Sequence, residues 1–292
     1  MADSPSILTP QDMSRLANYR FAVRMMVEGW LSGSHRAKGR GSSSDFLEYR
    51  AYYPGDDPRL IDWRVFARSD KMQLKTFEHE SHVECHIFLD ASASMGYKEL
   101  APISKLQYAA HFAACVAWLV VRGHDRVSLQ IFDEKIRSFL PPGSTATHLN
   151  QCLHLLEHVQ PGNQTDLPQA LAASQRLLER PATIMVISDF CCDTDALLQA
   201  FNMYLHRGCK LVLVHVADPG ELVLSGSALY RYVDMETGAA VICKPDELNP
   251  AYTAMVKQRR AALQAMAAAR GMLYLPVQTH HSFYPLFDTL AR

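Results

Sequence analysis

The sequence predicts a doubly wound α/β fold, with a mostly parallel sheet of the Rossmann type. From about residue 81 onward, strand-like stretches alternate with stretches of helical periodicity, the pattern that builds a parallel sheet with helices on both faces. The strand candidates IFLD, IMVISD and LVLVHVAD are apolar without interruption, as strands covered on both faces must be. The chain has 292 residues, 48% hydrophobic and 20% charged, enough to bury a large core and too apolar for a disordered or fibrous protein.

Taken in order, 11–32 places Leu16, Tyr19, Val23, Met26, Val27 and Trp30 at helical spacing and predicts an amphipathic helix. SGSHRAKGRGSSSDF is Gly/Ser-rich and basic, a loop by composition. Alternation in EYRAYY and MQLKTF predicts two short strands, with PGDDP as a turn. The main sheet is predicted from strands at 82–90, 126–132, 136–140, 183–189, 210–217 and 272–277, with helices at 103–122, 147–159, 167–178, 195–206 and 251–270. Asp133-Glu134 reads as a tight hairpin, which makes one strand antiparallel, and 230–243 reads as an extra hairpin turning at Glu236-Thr237-Gly238. The domain division is a small N-terminal accessory region of helix and short strands, 1–80, and an α/β domain, 81–292.

Charge and cysteine usage narrow the function classes. Lys plus Arg is 29 against 30 Asp plus Glu, a net charge of -1, so no global electrostatic pull favours nucleic acid or an anionic membrane. The seven Cys, at 85, 115, 152, 191, 192, 209 and 243, form no CxxC pair and mostly sit among apolar neighbours, as reduced thiols of a cytoplasmic protein do. The N-terminus lacks a signal pattern, and the longest apolar run, 112–121, is too short to cross a bilayer. No membrane span is expected.

The chemistry concentrates at strand ends. Asp90 closes the first sheet strand and opens Asp90-x-Ser92-x-Ser94, while Asp189 closes the fourth. In a 3-2-1-4-5-6 strand order these two strands flank the switch point, where doubly wound sheets bind ligands. Thr165 sits in a loop entering the next helix, so two carboxylates and three hydroxyls face one place. Such an all-oxygen set suits Mg²⁺ or Mn²⁺. Direct hydroxyl ligation, with the aspartates acting partly through water, keeps the ion electrophilic and leaves a position for a partner's carboxylate. Alone, the Asp-Ser-Ser segment reads equally as a helix cap; Thr165 and Asp189 in register favour the metal.

DASAS, QTDL and ISDF together resemble the metal-ion-dependent adhesion site of von Willebrand factor type A domains, a DxSxS followed by a later Thr and a later Asp. The stretch EYRAYYPGDDPRLIDWRVFARSDKMQLKTFEHE is similar to the signature of a bacterial family known as domain of unknown function 58, in which it leads into a von Willebrand A-like domain. The resemblance implies metal ligation by Asp90, Ser92, Ser94, Thr165 and Asp189. It also implies a cytoplasmic, non-enzymatic adaptor, often associated with MoxR-type AAA+ ATPases, with an acidic side chain of that partner or of a client completing the ion's shell. Many members of the family carry an N-terminal membrane anchor, a pattern that this sequence lacks.

The alternative is a metal-dependent hydrolase, using the same oxygen site or the HLLEH helix. His154-Leu155-Leu156-Glu157-His158 matches H-x-x-E-H, an inverted zinc-protease motif. Leu149, Leu153, Leu156 and Val159 form that helix's apolar stripe, however, and turn both His to its polar side. The helix ends at Pro161-Gly162, with no third-ligand motif after it. No general base or phosphate loop surrounds Ser92, and no Walker, GxGxxG or GxSxG pattern occurs. Cys191-Cys192 reads as packed rather than redox-active, the basic run 35–40 as a solvated linker, and the polar-aromatic set from Tyr53 to Arg64 as internal pairing that fixes the accessory region.

Overall fold

The computed structural model describes residues 7–16, 46–53, 58–69, 71–77, 84–178 and 181–290. They divide into two compact units, one formed by 46–77 and one by 7–16 with 84–290. In the small unit, β1 (Phe46–Ala51) pairs antiparallel with β2 (Gln73–Phe77), as the two alternating stretches predict. Between them lies α2 (Trp63–Ser69), which the sequence reading did not include. Asp62 nucleates it: its carboxylate accepts from the backbone N–H of Arg64 at 2.9 Å and of Val65 at 3.4 Å, and from the Tyr49 hydroxyl at 3.0 Å. Residues 17–32 of the predicted N-terminal helix, the basic loop and residues 54–57 of the PGDDP turn lie outside the described residues.

The large unit opens with α1 (Pro10–Leu16). Its mixed α/β body runs β3 (Glu84–Asp90), α3 (Lys105–Arg122), β4 (Arg126–Phe132), β5 (Ile136–Gly143), α4 (Ala146–Glu157), α5 (Leu167–Ser174), β6 (Thr183–Ser188), α6 (Thr194–His206), β7 (Lys210–Ala217), β8 (Tyr230–Val233), β9 (Ala240–Cys243), α7 (Pro245–Ala269), β10 (Leu273–Gln278) and α8 (Tyr284–Leu290). The sheet order is β5-β4-β3-β6-β7-β10, parallel except for β5. That is the 3-2-1-4-5-6 arrangement expected, and it places the reversal between β3 and β6.

The central strands bury every residue from Glu84 to Asp90 and from Thr183 to Ser188, which explains the apolar runs Ile87–Leu89 and Ile184–Ile187 within them. One face packs under α3, α8 and α1 through Leu16, Phe112, Val116 and Phe287. The other packs under α5, α6 and α7 through Leu171, Phe201, Tyr204 and Leu263. Each such fully buried Leu or Phe contributes about 1.5–3 kcal/mol. Cys85, Cys115, Cys152 and Cys209 are buried free thiols; burial pushes Cys85 and Cys152 up to about 12, where they stay protonated.

Several boundaries moved for local reasons. α3 starts at Lys105, not 103, because Ser104 closes a capping box: its hydroxyl accepts from Gln107 N–H and the Gln107 side chain accepts from Ser104 N–H. α7 starts at Pro245, six residues before the predicted 251, and keeps Pro250 inside it. Proline at the first helical position loses nothing, and Asp246 and Glu247 favour the start electrostatically. β5 extends to Gly143 through Pro141 and Pro142, which a sheet tolerates only on an edge strand such as this one.

His215 on β7 is buried, with Nδ1 2.6 Å from the Tyr274 hydroxyl and Phe190 edge-on at 5.6 Å. Burial, followed by the positive charge of Arg260, lowers its pKa from 6.5 to about 4. Between those values the unfolded chain takes up a proton that the folded chain refuses, so stability falls as pH drops through this window, by roughly 3 kcal/mol in all. Urea unfolding of wild type and His215→Gln from pH 7 to pH 4 checks this. The wild type should lose stability more steeply, and parallel curves would refute it.

Candidate functional site

β3 and β6 end side by side, and their C-terminal ends carry the candidate residues. Asp90 is the last residue of β3, while Asp189, predicted as the last residue of its strand, lies one step beyond the end of β6 at Ser188. Asp90 and Ser92 are fully buried and Asp189 nearly so. Ser92 N–H donates to Asp90 Oδ1 at 2.9 Å, which folds the loop back over the strand end. Ser92 Oγ and Ser94 Oγ lie 3.2 Å apart, and Ser94 Oγ donates to Asp189 Oδ2 at 2.8 Å. Thr165 Oγ1 donates to Asp90 Oδ2 at 3.3 Å. One hydrogen-bonded network thus joins all five residues singled out from the sequence.

The loop that brings Thr165 in is pinned from below. Gly162 N–H donates to Ala91 O at 2.7 Å, Ala93 N–H to Asn163 O at 2.8 Å and Asp166 N–H to Asp133 O at 3.1 Å. Glycine at 162 lets this loop lie close to Asp133: a Cβ there would fall 2.2 Å from Asp133 Oδ2 and displace that side chain. Asp166 then caps α5 through Gln169 N–H at 3.0 Å. On the other side, Phe190 adopts φ +51, an uncommon conformation for a bulky residue. Arg259 of α7 holds that turn by donating from Nη2 to the carbonyls of Phe190 and Cys192, both at 2.9 Å. Sharply built backbone of this kind clusters at functional sites.

Four residues that sequence reasoning missed complete the site. Ser188 donates to Asp90 Oδ2 at 2.6 Å and accepts from Phe190 N–H at 2.9 Å. Lys105, the first residue of α3, is completely buried and donates from Nζ to Asp189 Oδ2 at 2.7 Å and to Glu221 Oε1. Glu221 is fixed through its other oxygen by Asp218 N–H at 2.9 Å. Glu236, at the tip of the β8–β9 hairpin, accepts from Thr165 N–H through Oε2 at 3.2 Å. Lys105 did carry a signal: a lysine in the first turn opposes the helix dipole, and such a residue is placed for something else.

The electrostatics are unbalanced. Burial and the charge of Asp189 raise Asp90 to about 6. Burial pushes Asp189 up too, but the Lys105 ammonium outweighs it and holds that carboxyl below its ordinary value. Burial pulls Lys105 down, and the charges of Asp189 and Glu221 reverse this and keep it firmly protonated. The one ammonium therefore pairs with Asp189 and Glu221, and no cation is paired with Asp90 among the described residues. Oxygen-only donors with surplus negative charge are the chemistry that hard divalent cations take.

The competing motif does not assemble. His154, Glu157 and His158 are all exposed on α4 and just past its end, with the two rings 4.4 Å apart and His158 Nδ1 held at 2.9 Å by the His154 carbonyl. Among the described residues, no group of three or more His, Cys, Asp or Glu is placed to hold a metal ion, so the two His lack a third ligand of that kind. Cys191 and Cys192 are free thiols, but Cys191 is exposed and Cys192 half-buried, not packed as the sequence suggested. Among the described residues no helix is long and apolar enough to cross a membrane.

Comparison with known proteins agrees with this architecture. The chain is 26% identical over 201 residues to the uncharacterized protein Rv1480 of Mycobacterium tuberculosis, a match covering 64% of this chain and only 63% of that relative's length. An uncharacterized protein of Mycobacterium bovis, Mb1516, matches equally. Among solved structures, BatB from Bacteroides thetaiotaomicron superposes with a TM-score of 0.50 at 19% identity, over 72% of this chain and 95% of that one, a likeness of fold. The SpRpn10 VWA domain superposes with a TM-score of 0.43 at 8% identity, over 70% and 93% of the two chains. The match that covers the signature segment and most of the α/β body together is to a family model, over residues 48–262, and it makes this chain a member of the family described as protein of unknown function DUF58.

Proposed function

We propose that this protein is a non-enzymatic, metal-dependent protein-interaction module in which Asp90, Ser92, Ser94, Thr165 and Asp189 hold Mg²⁺ or Mn²⁺. The observation that carries this reading is the hydrogen-bonded network at the β3/β6 switch point that joins the Asp90 and Asp189 carboxylates to the hydroxyls of Ser94 and Thr165, with one ammonium, Lys105, already shared between Asp189 and Glu221. Keeping Asp90 ionised there costs free energy that a bound cation offsets. When bound, such an ion supplies an electrophilic position for an acidic oxygen from another protein. The chain's own groups do the rest. Ser188 and Ser92 N–H orient Asp90, Lys105 and Ser94 orient Asp189, and the pinned 161–166 loop presents Thr165.

The sequence resemblance supplies the partner class, a MoxR-type AAA+ ATPase in the cytoplasm or a client presenting an acidic side chain. The hydrolase alternative has less support, since its HLLEH helix presents its His outward without a third ligand among the described residues. The test is capture of the purified ATPase on immobilised protein in Mg²⁺ and in EDTA, with wild type and Asp90→Ala. Retention should need both Mg²⁺ and Asp90. Equal retention in all four conditions removes the metal bridge from the account.

A further inference from the structure

Among the described residues β8 and β9 pair only with each other, and apart from the half-buried Cys243 their side chains are exposed. The register puts Tyr230, Tyr232 and Val241 on one face of the hairpin and Val233 and Ile242 on the other, so both faces are apolar. Strands apolar on both faces belong to sheets covered on both faces, as β3 and β6 are. This hairpin instead stands open. Leu229, Tyr230, Val233, Met235, Val241 and Ile242 are each between 44% and 66% exposed.

Two strands alone are marginal in water, and a further pair of strands or a covering face makes a sheet last. An open apolar edge also invites addition of other chains unless a fixed contact covers it. The arm is pre-formed for such a contact, because its tip is held. Asp234 Oδ1 accepts from Glu236 N–H at 2.8 Å and from Thr237 N–H at 3.1 Å, and Gln164 Nε2 donates to the Glu236 carbonyl at 3.3 Å. Asp234 and Glu236 also set the tip against nucleic acid and anionic lipid, which repel carboxylates. Covering those six apolar residues in two copies at once removes on the order of 1,000 Å² from water, the size from which a specific interface becomes stable.

We infer that the β8–β9 hairpin is the contact between two copies of this chain, joined about a twofold axis by the same apolar patch on each. A twofold contact suits a patch carried by one short element, since every residue is used twice. It also closes after two copies, which leaves no apolar strand open to further addition. Tyr230 and Tyr232, with rings 6.2 Å apart, are its anchors, as large aromatic side chains are in most protein contacts. The inference stands apart from the metal reading and needs no ion.

The experiment is sedimentation equilibrium of the full chain in EDTA, for wild type, Val241→Asp, Ile242→Asp and Val241→Ser. Wild type should sediment as a dimer at about 10 µM, and both aspartate variants should dimerise at least about tenfold more weakly. Their far-ultraviolet circular dichroism should match wild type, because both positions are exposed. Val241→Ser removes apolar area without adding charge, so it keeps the test readable if an aspartate disturbs the fold; it should weaken the dimer in the same direction. Wild type that stays monomeric up to about 100 µM overturns the inference. Dimers of wild-type affinity in the variants overturn it too, since the contact then lies elsewhere.

Discussion

Lys105→Met should destabilise the protein by about 3–5 kcal/mol in EDTA, and added Mg²⁺ should recover more stability in the variant than in wild type. The ammonium is completely buried and donates to Asp189 and Glu221. Methionine fills much of the same volume, so the loss is electrostatic rather than a cavity. It leaves Asp189, itself only 4% exposed, charged and uncompensated beside Asp90. A divalent ion in the cluster then takes over the neutralisation that Lys105 performs in wild type. Calorimetric unfolding of both proteins, in EDTA and in Mg²⁺, reads this directly; at roughly 2–4 °C per kcal/mol for a domain of this size, the shift in EDTA is on the order of 10 °C. An unchanged melting temperature in EDTA, or equal gains from Mg²⁺, would contradict it.

Asp90→Asn should have the opposite pattern: metal binding lost by a hundredfold or more, with stability in EDTA equal to or above that of wild type. The folded state holds the Asp90 carboxyl at about 6, above its ordinary 3.8. At pH 7 the ionised form is therefore disfavoured by folding, a cost of up to about 3 kcal/mol, largest above the folded pKa and fading as pH falls toward 3.8. Asparagine removes that charge; its single oxygen can still accept from Ser92 N–H, and its amide can donate to the Ser188 or Thr165 hydroxyl oxygen where Oδ2 accepted. A residue whose removal relieves the fold and abolishes binding is held for function. Thermal unfolding in EDTA and Mn²⁺ titration of the variant measure the two halves. Wild-type Mn²⁺ affinity, or a large loss of stability in EDTA, would argue for a merely structural Asp90.

Much of this was legible before the structure because it is local or periodic. The sheet strands announce themselves by buried apolar continuity, and the strand order places the ends of β3 and β6 side by side, which brings Asp90 and Asp189 together. Ser92 and Ser94 follow by adjacency, and Thr165 by its loop before α5. Glu221 and Glu236 were not legible, since each joins the network across 116 and 71 residues of chain through one side-chain contact that no periodicity encodes, and Lys105 offered only its unfavourable place in the first turn of α3. Ser188 hid inside a strand as one more buried residue. The misplaced element boundaries have the same origin. α2 is only seven residues long, below what helical periodicity resolves, although Asp62 before Trp63 was a readable cap. The early start of α7 was masked by Pro245 and Pro250, residues that mark breaks in most contexts.

The central claim is that the oxygen cluster at the β3/β6 switch point holds one divalent cation. An anomalous difference map from crystals of the wild-type protein grown in Mn²⁺ tests it most directly. The account predicts a single strong peak among Asp90, Ser92, Ser94, Thr165 and Asp189, absent from isomorphous crystals of Asp90→Asn. A map without a peak there at saturating Mn²⁺, with Lys105 as the sole counter-charge of Asp189, would contradict it.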